Sequence, residues 1–220
     1  MSHYHKNTDT SIREPLKLKV CGMNQNTAEV GALKPDYLGF IFWKPSKRNF
    51  DKNPMDLPHS IKKVGVFVDE KIAEIVQKIK VHQLLAVQLH GSESPAYCSA
   101  LKLQLKGTKI IKAFSIKDKF NFKEIKPYES VCDFYLFDTK GKLPGGNGFK
   151  FDWEVLKGYP FKKPFFLSGG IGLEDLDAIK EFIKRPESKY CHAIDVNSKF
   201  EIAPGLKDIE KLKDFIKDLK

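Results

Sequence analysis

The sequence is poor in cysteine and has no long apolar run. It has 4 cysteines in 220 residues, and no two of them form a C-x-x-C pair. This spacing indicates neither a zinc site nor a disulfide framework, and it is typical of a reducing compartment, so we predict a cytoplasmic location. No stretch approaches the roughly 18 apolar residues of a membrane helix, and residues 1–6 lack the apolar core of a signal peptide. We therefore expect no membrane partner.

Positive charge exceeds negative charge, but the excess is not collected into a basic arm. The 38 Lys and Arg against 28 Asp and Glu give a formal net charge of +10. A charge of this size is compatible with binding to nucleic acid, to a membrane surface or to anionic metabolites, and it does not distinguish among these partners. The lysines are interleaved with acids, as in residues 208–214, which is typical of a solvated surface. A noncatalytic nucleic-acid-binding protein is therefore the weaker alternative, because it needs a basic groove with stacking aromatic residues.

Eight short apolar runs, rich in β-branched and aromatic residues, recur along the chain. Amphipathic or polar segments separate them, and their carboxyl ends lie about 20 to 30 residues apart, enough for one strand and one helix. Strict alternation predicts an α/β fold with a parallel sheet, and eight repeats allow the sheet to close as a (β/α)8 TIM barrel. The alternative is an open doubly wound sheet. The runs are Leu16–Val20, Tyr37–Phe42, Val64–Val68, Leu84–Leu89, Lys109–Phe114, Asp133–Phe137, Pro164–Leu167 and Ala193–Val196.

Apolar residues at helical spacing predict helices in three of the intervals between these runs. The interval after the second run contains three prolines and leaves room for only a short helix. The three stripes lie within Ile72–Ile79, Leu176–Ile183 and Ile209–Leu219. Residues 1–14 are polar and are predicted to form a flexible tail, so that His3 and His5 are tail residues rather than metal ligands. One catalytic barrel domain is predicted over residues 15–220.

Glycines and polar residues follow the predicted strands at their carboxyl ends, where barrel enzymes build their active sites. In these motifs and in their order, the chain from about Leu16 onward resembles the phosphoribosylanthranilate isomerase family. The segments that carry the resemblance are Lys19-Val20-Cys21-Gly22-Met23, Pro45-Ser46-Lys47-Arg48, Val87-Gln88-Leu89-His90-Gly91, Phe137-Asp138-Thr139, Gly145-Gly146-Asn147-Gly148, Leu167-Ser168-Gly169-Gly170 and Ile194-Asp195-Val196-Asn197-Ser198.

The resemblance implies a reaction and two catalytic residues. Cys21 matches the family's general base, and Asp138 matches the general acid. The implied reaction is the Amadori rearrangement of N-(5-phosphoribosyl)anthranilate to 1-(2-carboxyphenylamino)-1-deoxyribulose 5-phosphate, a step of tryptophan biosynthesis that needs no cofactor and no metal. The residues themselves leave another role open for Asp138, as a cap of the following loop. The other three cysteines are interpreted as small buried apolar residues.

Lys19 lies two residues before Cys21 and therefore faces the same side of the strand. Two roles remain open for it. It supplies positive charge that favours the Cys21 thiolate, or it pairs with Asp195, and we favour the pairing because an unpaired buried lysine is costly.

The resemblance also implies how a substrate with phosphate and carboxylate groups is bound. Arg48 matches the arginine that binds the anthranilate carboxylate. The alternative, for an arginine in a lysine-rich loop, is a side chain that is only solvated. Asp195 and His90 are predicted substrate-binding residues, with a purely structural hydrogen-bonded histidine as the alternative for His90. Lys199 stands where the family often has a glycine, beside the phosphate loop. Backbone N–H groups for the phosphate are predicted at Gly146, Gly148, Gly169, Gly170, Asn197 and Ser198.

Two related barrel enzymes are the nearest rivals. The isomerase of histidine biosynthesis performs the same chemistry with two aspartates, so it requires a carboxylate at the position of Cys21. Indole-3-glycerol-phosphate synthase requires a lysine as general acid and further glutamates at the strand ends, and neither Cys21 nor Asp138 matches these residues. The chain is expected to act as a monomer or a homodimer.

Overall fold

Eight parallel strands close into a barrel, as the alternation of strands and helices predicts. The structure is a computed structural model that describes residues 15–117, 119–139 and 152–219. Each strand pairs with the next along the chain, and β8 closes the barrel by pairing with β1, so the open-sheet alternative is wrong. The strands are β1 Lys17–Cys21, β2 Tyr37–Ile41, β3 Lys62–Phe67, β4 Ala86–Leu89, β5 Lys109–Ile116, β6 Phe134–Thr139, β7 Phe165–Leu167 and β8 Cys191–Val196.

Helices and short 3-10 turns occupy most of the connections. The α-helices are α1 Thr27–Ala32, α2 Ile72–His82, α3 Pro95–Gln104, α4 Leu176–Phe182 and α5 Ile209–Leu219, and the three predicted apolar stripes fall on α2, α4 and α5. The β2–β3 connection is described throughout and contains no helix, because its three prolines break the pattern. The 3-10 segments are Phe122–Tyr128, Trp153–Gly158, Leu173–Asp175, Pro186–Tyr190 and Ser198–Phe200.

Two apolar cores follow from the alternation of side chains along the strands. One fills the inside of the barrel and is built from small and aromatic residues of alternate strand positions, such as Val64, Ala86, Leu136 and Phe166. The other lies between the barrel and the surrounding helices. Packing on both faces explains why the strands read as nearly continuous apolar runs.

The strand register places the polar exceptions to this pattern inside the barrel. Lys19 on β1 is level with Asp195 on β8, and Cys21 at the end of β1 is level with Gly39 on β2. After β8 a short hairpin, β9 Glu201–Ala203 and β10 Leu206–Lys207, lies before α5. Among the described residues no helix is long and apolar enough to cross a membrane. The predicted tail, residues 1–14, lies outside the described residues.

Candidate active site

The carboxyl ends of the strands surround a small, partly open pocket. The pocket brings together side chains that are far apart in the sequence but follow strands of one barrel. The predicted site residues among its lining are Cys21, His90, Asp138, Gly169, Gly170, Asp195, Asn197 and Ser198.

Cys21 is a buried thiol at the edge of this pocket. It is 5% exposed, and the backbone of Gly39 passes so close that a Cβ there would stand 2.8 Å from the Cys21 sulfur. Burial raises the pKa of the Cys21 thiol above that of an ordinary cysteine. The ammonium groups of Lys19 and Lys207 oppose this effect, and the Asp195 carboxylate adds to it. The positive charge that favours the thiolate is present, but burial outweighs it.

The raised pKa of Cys21 predicts how its alkylation depends on pH. Only the thiolate reacts with iodoacetamide, so the rate at Cys21 should rise about tenfold per pH unit and reach no plateau below about pH 8.5, the pKa of an ordinary thiol. Peptide mapping by mass spectrometry assigns the site, and glutathione is the control for an unperturbed thiol. A plateau near neutral pH would show that the neighbouring lysines outweigh burial.

Lys19 pairs with Asp195, as we favoured from the sequence. Its ammonium group donates to Asp195 Oδ2 and to Gln88 Oε1, each at 2.8 Å, and the side chain has no exposed surface. Although burial disfavours the ammonium, the Asp195 carboxylate and Cys21 raise the pKa of Lys19. The lysine therefore carries a fixed positive charge beneath the pocket, next to the thiol.

Asp138 is the next-to-last residue of β6, and it directs one carboxyl oxygen to the following loop and the other to a histidine. Its Oδ1 accepts a hydrogen bond from the Thr139 N–H at 2.9 Å, while Oδ2 lies 3.3 Å from His90 Nε2. The carboxyl group thus contacts the following loop, as its alternative role predicts, and also lines the pocket. His90 Nδ1 in turn lies 2.7 Å from Gln88 Nε2.

Arg48 is held by a carboxylate rather than solvated. Its Nε and Nη2 atoms donate to Glu201 at distances of 2.7 to 2.9 Å, and Glu201 also accepts from Lys207 at 2.8 Å. Although burial disfavours its charge, Arg48 and Lys207 lower the pKa of Glu201. Arg48 is not among the described residues that line the pocket, but it stands beside the start of the loop after β1: a Cβ at Gly22 would lie 2.9 Å from Arg48 Cδ.

The loops after β7 and β8 form the side of the pocket predicted for phosphate. Gly169 has φ +105° and Gly170 has φ +69°, and a Cβ at Gly169 would lie 2.2 Å from Thr139 Oγ1. Both positions therefore require glycine. Lys199 also lines the pocket and pairs with Glu174 at 3.0 Å. The predicted ligands Gly146 and Gly148 lie outside the described residues.

Comparisons with known proteins agree with one another on the family. The family model for N-(5'-phosphoribosyl)anthranilate isomerase matches residues 18–218. The isomerase of Parabacteroides distasonis is 45% identical over 210 residues, which cover 92% of each chain, and that of Phocaeicola vulgatus is 38% identical over 92% of this chain and 97% of its own. The chain belongs to the N-(5'-phosphoribosyl)anthranilate isomerase family.

Solved structures of isomerases from this family have the same fold. The enzyme from Thermotoga maritima is 29% identical, with a TM-score of 0.78, and the match covers 93% of this chain and 98% of the Thermotoga maritima chain. A complex of a phosphoribosyl anthranilate isomerase with reduced 1-(o-carboxyphenylamino)-1-deoxyribulose 5-phosphate is 27% identical with a TM-score of 0.72 over the same shares. The similarity therefore covers the whole barrel and not only its site.

Three residues that the sequence reasoning did not assign contribute to the site of this family member. Gln88 connects Lys19 to His90. Glu201 and Lys207 lie on the β9–β10 hairpin, where they hold Arg48 and the Asn197 side chain, which accepts from Lys207 at 2.8 Å. A signal existed for Gln88, because it is a polar residue on the inward face of a buried strand. The hairpin gave no comparable signal.

In a member of this family, replacing Arg48 should act mainly on substrate binding. If Arg48 binds the substrate carboxylate, as the sequence predicts, Arg48→Ala removes a charge-assisted contact worth roughly 1.5 to 3 kcal/mol, so KM should rise about tenfold to hundredfold while kcat changes little. Steady-state kinetics measure both. The exposed neighbour Lys47→Ala is the control and should leave KM unchanged. A fall in kcat with constant KM would assign Arg48 to the chemical step instead.

Proposed function

We propose that the chain catalyses the Amadori rearrangement of N-(5'-phosphoribosyl)anthranilate, with Cys21 as general base and Asp138 as general acid. The observation that carries the proposal is that one pocket holds both groups, on strands β1 and β6, which are not neighbours in the barrel. An acid and a base that approach a sugar from different sides are what this reaction needs.

The proton transfers follow from these two positions. Asp138 protonates the ribose ring oxygen, the C1–O bond breaks, and the furanose opens to a Schiff base between C1 and the anthranilate nitrogen. Cys21, as the thiolate, then removes the proton from C2, and the electron pair of that bond forms the enolamine. Protonation of C1 and loss of the C2 hydroxyl proton give the ketone, 1-(2-carboxyphenylamino)-1-deoxyribulose 5-phosphate. C2 is oxidised to the ketone while C1 is reduced within the same molecule, so we expect no redox cofactor and no metal.

Asp195 is proposed to accept a hydrogen bond from the substrate. Its Oδ2 is used by Lys19, whereas its Oδ1 is buried and has no hydrogen-bond partner within the described part of the chain. A buried carboxylate oxygen without a partner is rare in native proteins. Because Asp195 lines the pocket, a sugar hydroxyl is the donor that would satisfy it. His90 is likewise proposed to bind the substrate, because it lines the same pocket.

The two charged ends of the substrate are proposed to lie on different sides of the pocket. Backbone N–H groups of Gly169, Gly170, Asn197 and Ser198 receive the phosphate, joined by those of Gly146 and Gly148. Arg48 receives the anthranilate carboxylate through the edge of its guanidinium that faces away from Glu201, since Glu201 accepts hydrogen bonds from Nε and Nη2. The product analogue bound by the related isomerase carries both groups.

Partners and location remain predictions. We propose that the chain works in the cytoplasm as a monomer or homodimer, with a small-molecule substrate and no nucleic-acid partner. A Thermotoga maritima relative is described as dimeric.

A fluorescence assay tests the proposed function. Purified protein is mixed with freshly generated N-(5'-phosphoribosyl)anthranilate, and loss of the anthranilate fluorescence is followed after dialysis against EDTA. We expect enzyme-dependent loss at a rate that is proportional to protein concentration. An unchanged signal, together with salt-sensitive binding of single-stranded nucleic acid, would favour the noncatalytic alternative.

A further inference from the structure

A buried line of polar side chains crosses the barrel between the base side and the acid side of the pocket. Lys19 donates to Gln88 Oε1 at 2.8 Å, Gln88 Nε2 lies 2.7 Å from His90 Nδ1, and His90 Nε2 lies 3.3 Å from Asp138. Lys19 has no exposed surface and Gln88 is 1% exposed. All the members come from inward-facing positions of β1, β4 and β6 or from the residue that follows β4.

The chemistry of the donors fixes every proton along this line. A lysine ammonium has only donors, so the Gln88 atom that it contacts must be the carbonyl oxygen. The amide nitrogen of Gln88 therefore faces His90, and an amide NH2 only donates. His90 Nδ1 must accept, which leaves the ring proton on Nε2, towards Asp138. Lys19 thus determines the orientation of Gln88, and Gln88 determines the tautomer of His90.

We propose that Gln88 is a positioning residue that keeps His90 neutral, with its single ring proton on Nε2 facing Asp138. The role for Asp138 rests on the proposed function, whereas the state of His90 does not. A second proton on Nδ1 would place an N–H against the amide N–H of Gln88 and lose that hydrogen bond inside the barrel, where an unpaired polar group is costly.

The charged groups around His90 show why control of its protonation by Gln88 matters. Asp138 from β6 and Asp195 from β8 favour an imidazolium, whereas Lys19 from β1 opposes it. Cys21 and Lys199 line the same pocket. Lys112 on β5 and Glu93 after β4 pair with each other at 3.0 Å. An imidazolium beside Asp138 would favour the carboxylate form, and the carboxylate cannot donate the proton that opens the ribose ring. A neutral His90 places its Nε2 atom 3.3 Å from Asp138 without adding a charge that would favour the carboxylate form, so Asp138 keeps its proposed role as acid.

Nitrogen-15 NMR of the histidine-labelled full chain tests the state of His90 directly. The His90 signals are assigned by their loss in His90→Gln. We expect a protonated Nε2, an unprotonated Nδ1 and no titration between pH 6 and 8 in the unchanged chain, values that bracket the ordinary histidine pKa of about 6.5. A titrating His90, or a proton on Nδ1 in the neutral form, would overturn the proposal whether or not the protein is an active isomerase.

Two variants of Gln88 separate positioning from a merely structural role. Gln88→Glu replaces the donor with an acceptor and should let His90 become an imidazolium within this pH range. Gln88→Met removes both polar groups without adding a charge beside Lys19, and should allow His90 to titrate as an ordinary histidine. Gln83→Glu makes the same change on the exposed surface and should leave His90 unaltered. If either Gln88 variant folds and its His90 signals stay as in the unchanged chain, Gln88 does not set the tautomer.

Kinetics provide the second measurement on the same variants. At pH 6, Gln88→Glu should lower kcat about tenfold or more, which is part of the 10² to 10⁴ that a general acid contributes. At higher pH, kcat of this variant should rise again, because His90 loses its extra proton. KM should change much less. His90→Gln keeps a donor for Asp138 and should retain most of kcat, whereas His90→Leu should not. A loss in Gln88→Glu that is independent of pH would indicate damaged packing and contradict positioning through His90.

Discussion

Cys21→Ser should lower kcat by at least about 10², and by 10⁴ or more if water cannot replace the base. Serine preserves the shape of the side chain beside Gly39 but is far too weakly acidic to supply an anion at neutral pH. The burial that raises the pKa of the thiol acts on a serine hydroxyl as well, so the pocket does not compensate for the change. Steady-state turnover and thermal unfolding of the same preparation measure the chemical and structural effects separately.

The other cysteines provide the matched control for this change. Cys98 is fully buried between the barrel and its helices, and burial raises its pKa to about 11. Cys98→Ala should cost some stability and leave kcat within about twofold, since nothing in the pocket depends on it. If Cys21→Ser retains near-full kcat in a folded protein, the cysteine is a packing residue and another base has to be sought.

Asp138→Asn should lower kcat by about 10² to 10⁴ with a smaller effect on KM, because the amide keeps the shape of the carboxyl group but cannot donate an acidic proton. The amide oxygen still accepts from one neighbour, whereas its NH2 group faces the other. Since the Thr139 N–H donates to the native carboxyl group and His90 Nε2 lies 3.3 Å from it, a modest loss of stability is also expected.

An exposed aspartate controls for the change of charge. Asp177→Asn on α4 makes the same substitution away from the pocket and should leave kcat and KM unchanged. Pre-steady-state kinetics with Asp138→Asn add a qualitative check, because ring opening should become the slow step. If Asp138→Asn raises KM and leaves kcat unchanged, Asp138 acts in substrate binding rather than in proton transfer.

The barrel was predictable from the sequence because all eight strands are buried on both faces. Their apolar runs and the intervals between them repeat at the length of one strand and one helix. The predicted ends agree with the structure to within a few residues, as at β2, predicted over Tyr37–Phe42 and found over Tyr37–Ile41. The connection from β2 to β3 has no helix, because prolines remove the backbone donors that a helix needs.

The positions of the pocket residues were also predictable, but their partners were not. Carboxyl ends of barrel strands meet at one mouth, which is enough to bring Cys21 and Asp138 together. The contact between Arg48 and Glu201 joins residues that are 153 positions apart, and it depends on a hairpin with no apolar signature. Sequence reasoning considered Lys19 as a source of charge for Cys21 and favoured its pairing with Asp195, which the structure contains. It did not weigh the burial that raises the pKa of the thiol.

A crystal structure of this chain with reduced 1-(o-carboxyphenylamino)-1-deoxyribulose 5-phosphate would test the central claim most directly. We predict the Cys21 sulfur and an Asp138 oxygen within hydrogen-bond reach of the ribulose chain on different sides, the phosphate against Gly170 and Ser198, and the carboxylate at Arg48. An analogue bound with its phosphate elsewhere, or with Cys21 and Asp138 both out of reach of C1 and C2, would contradict the account.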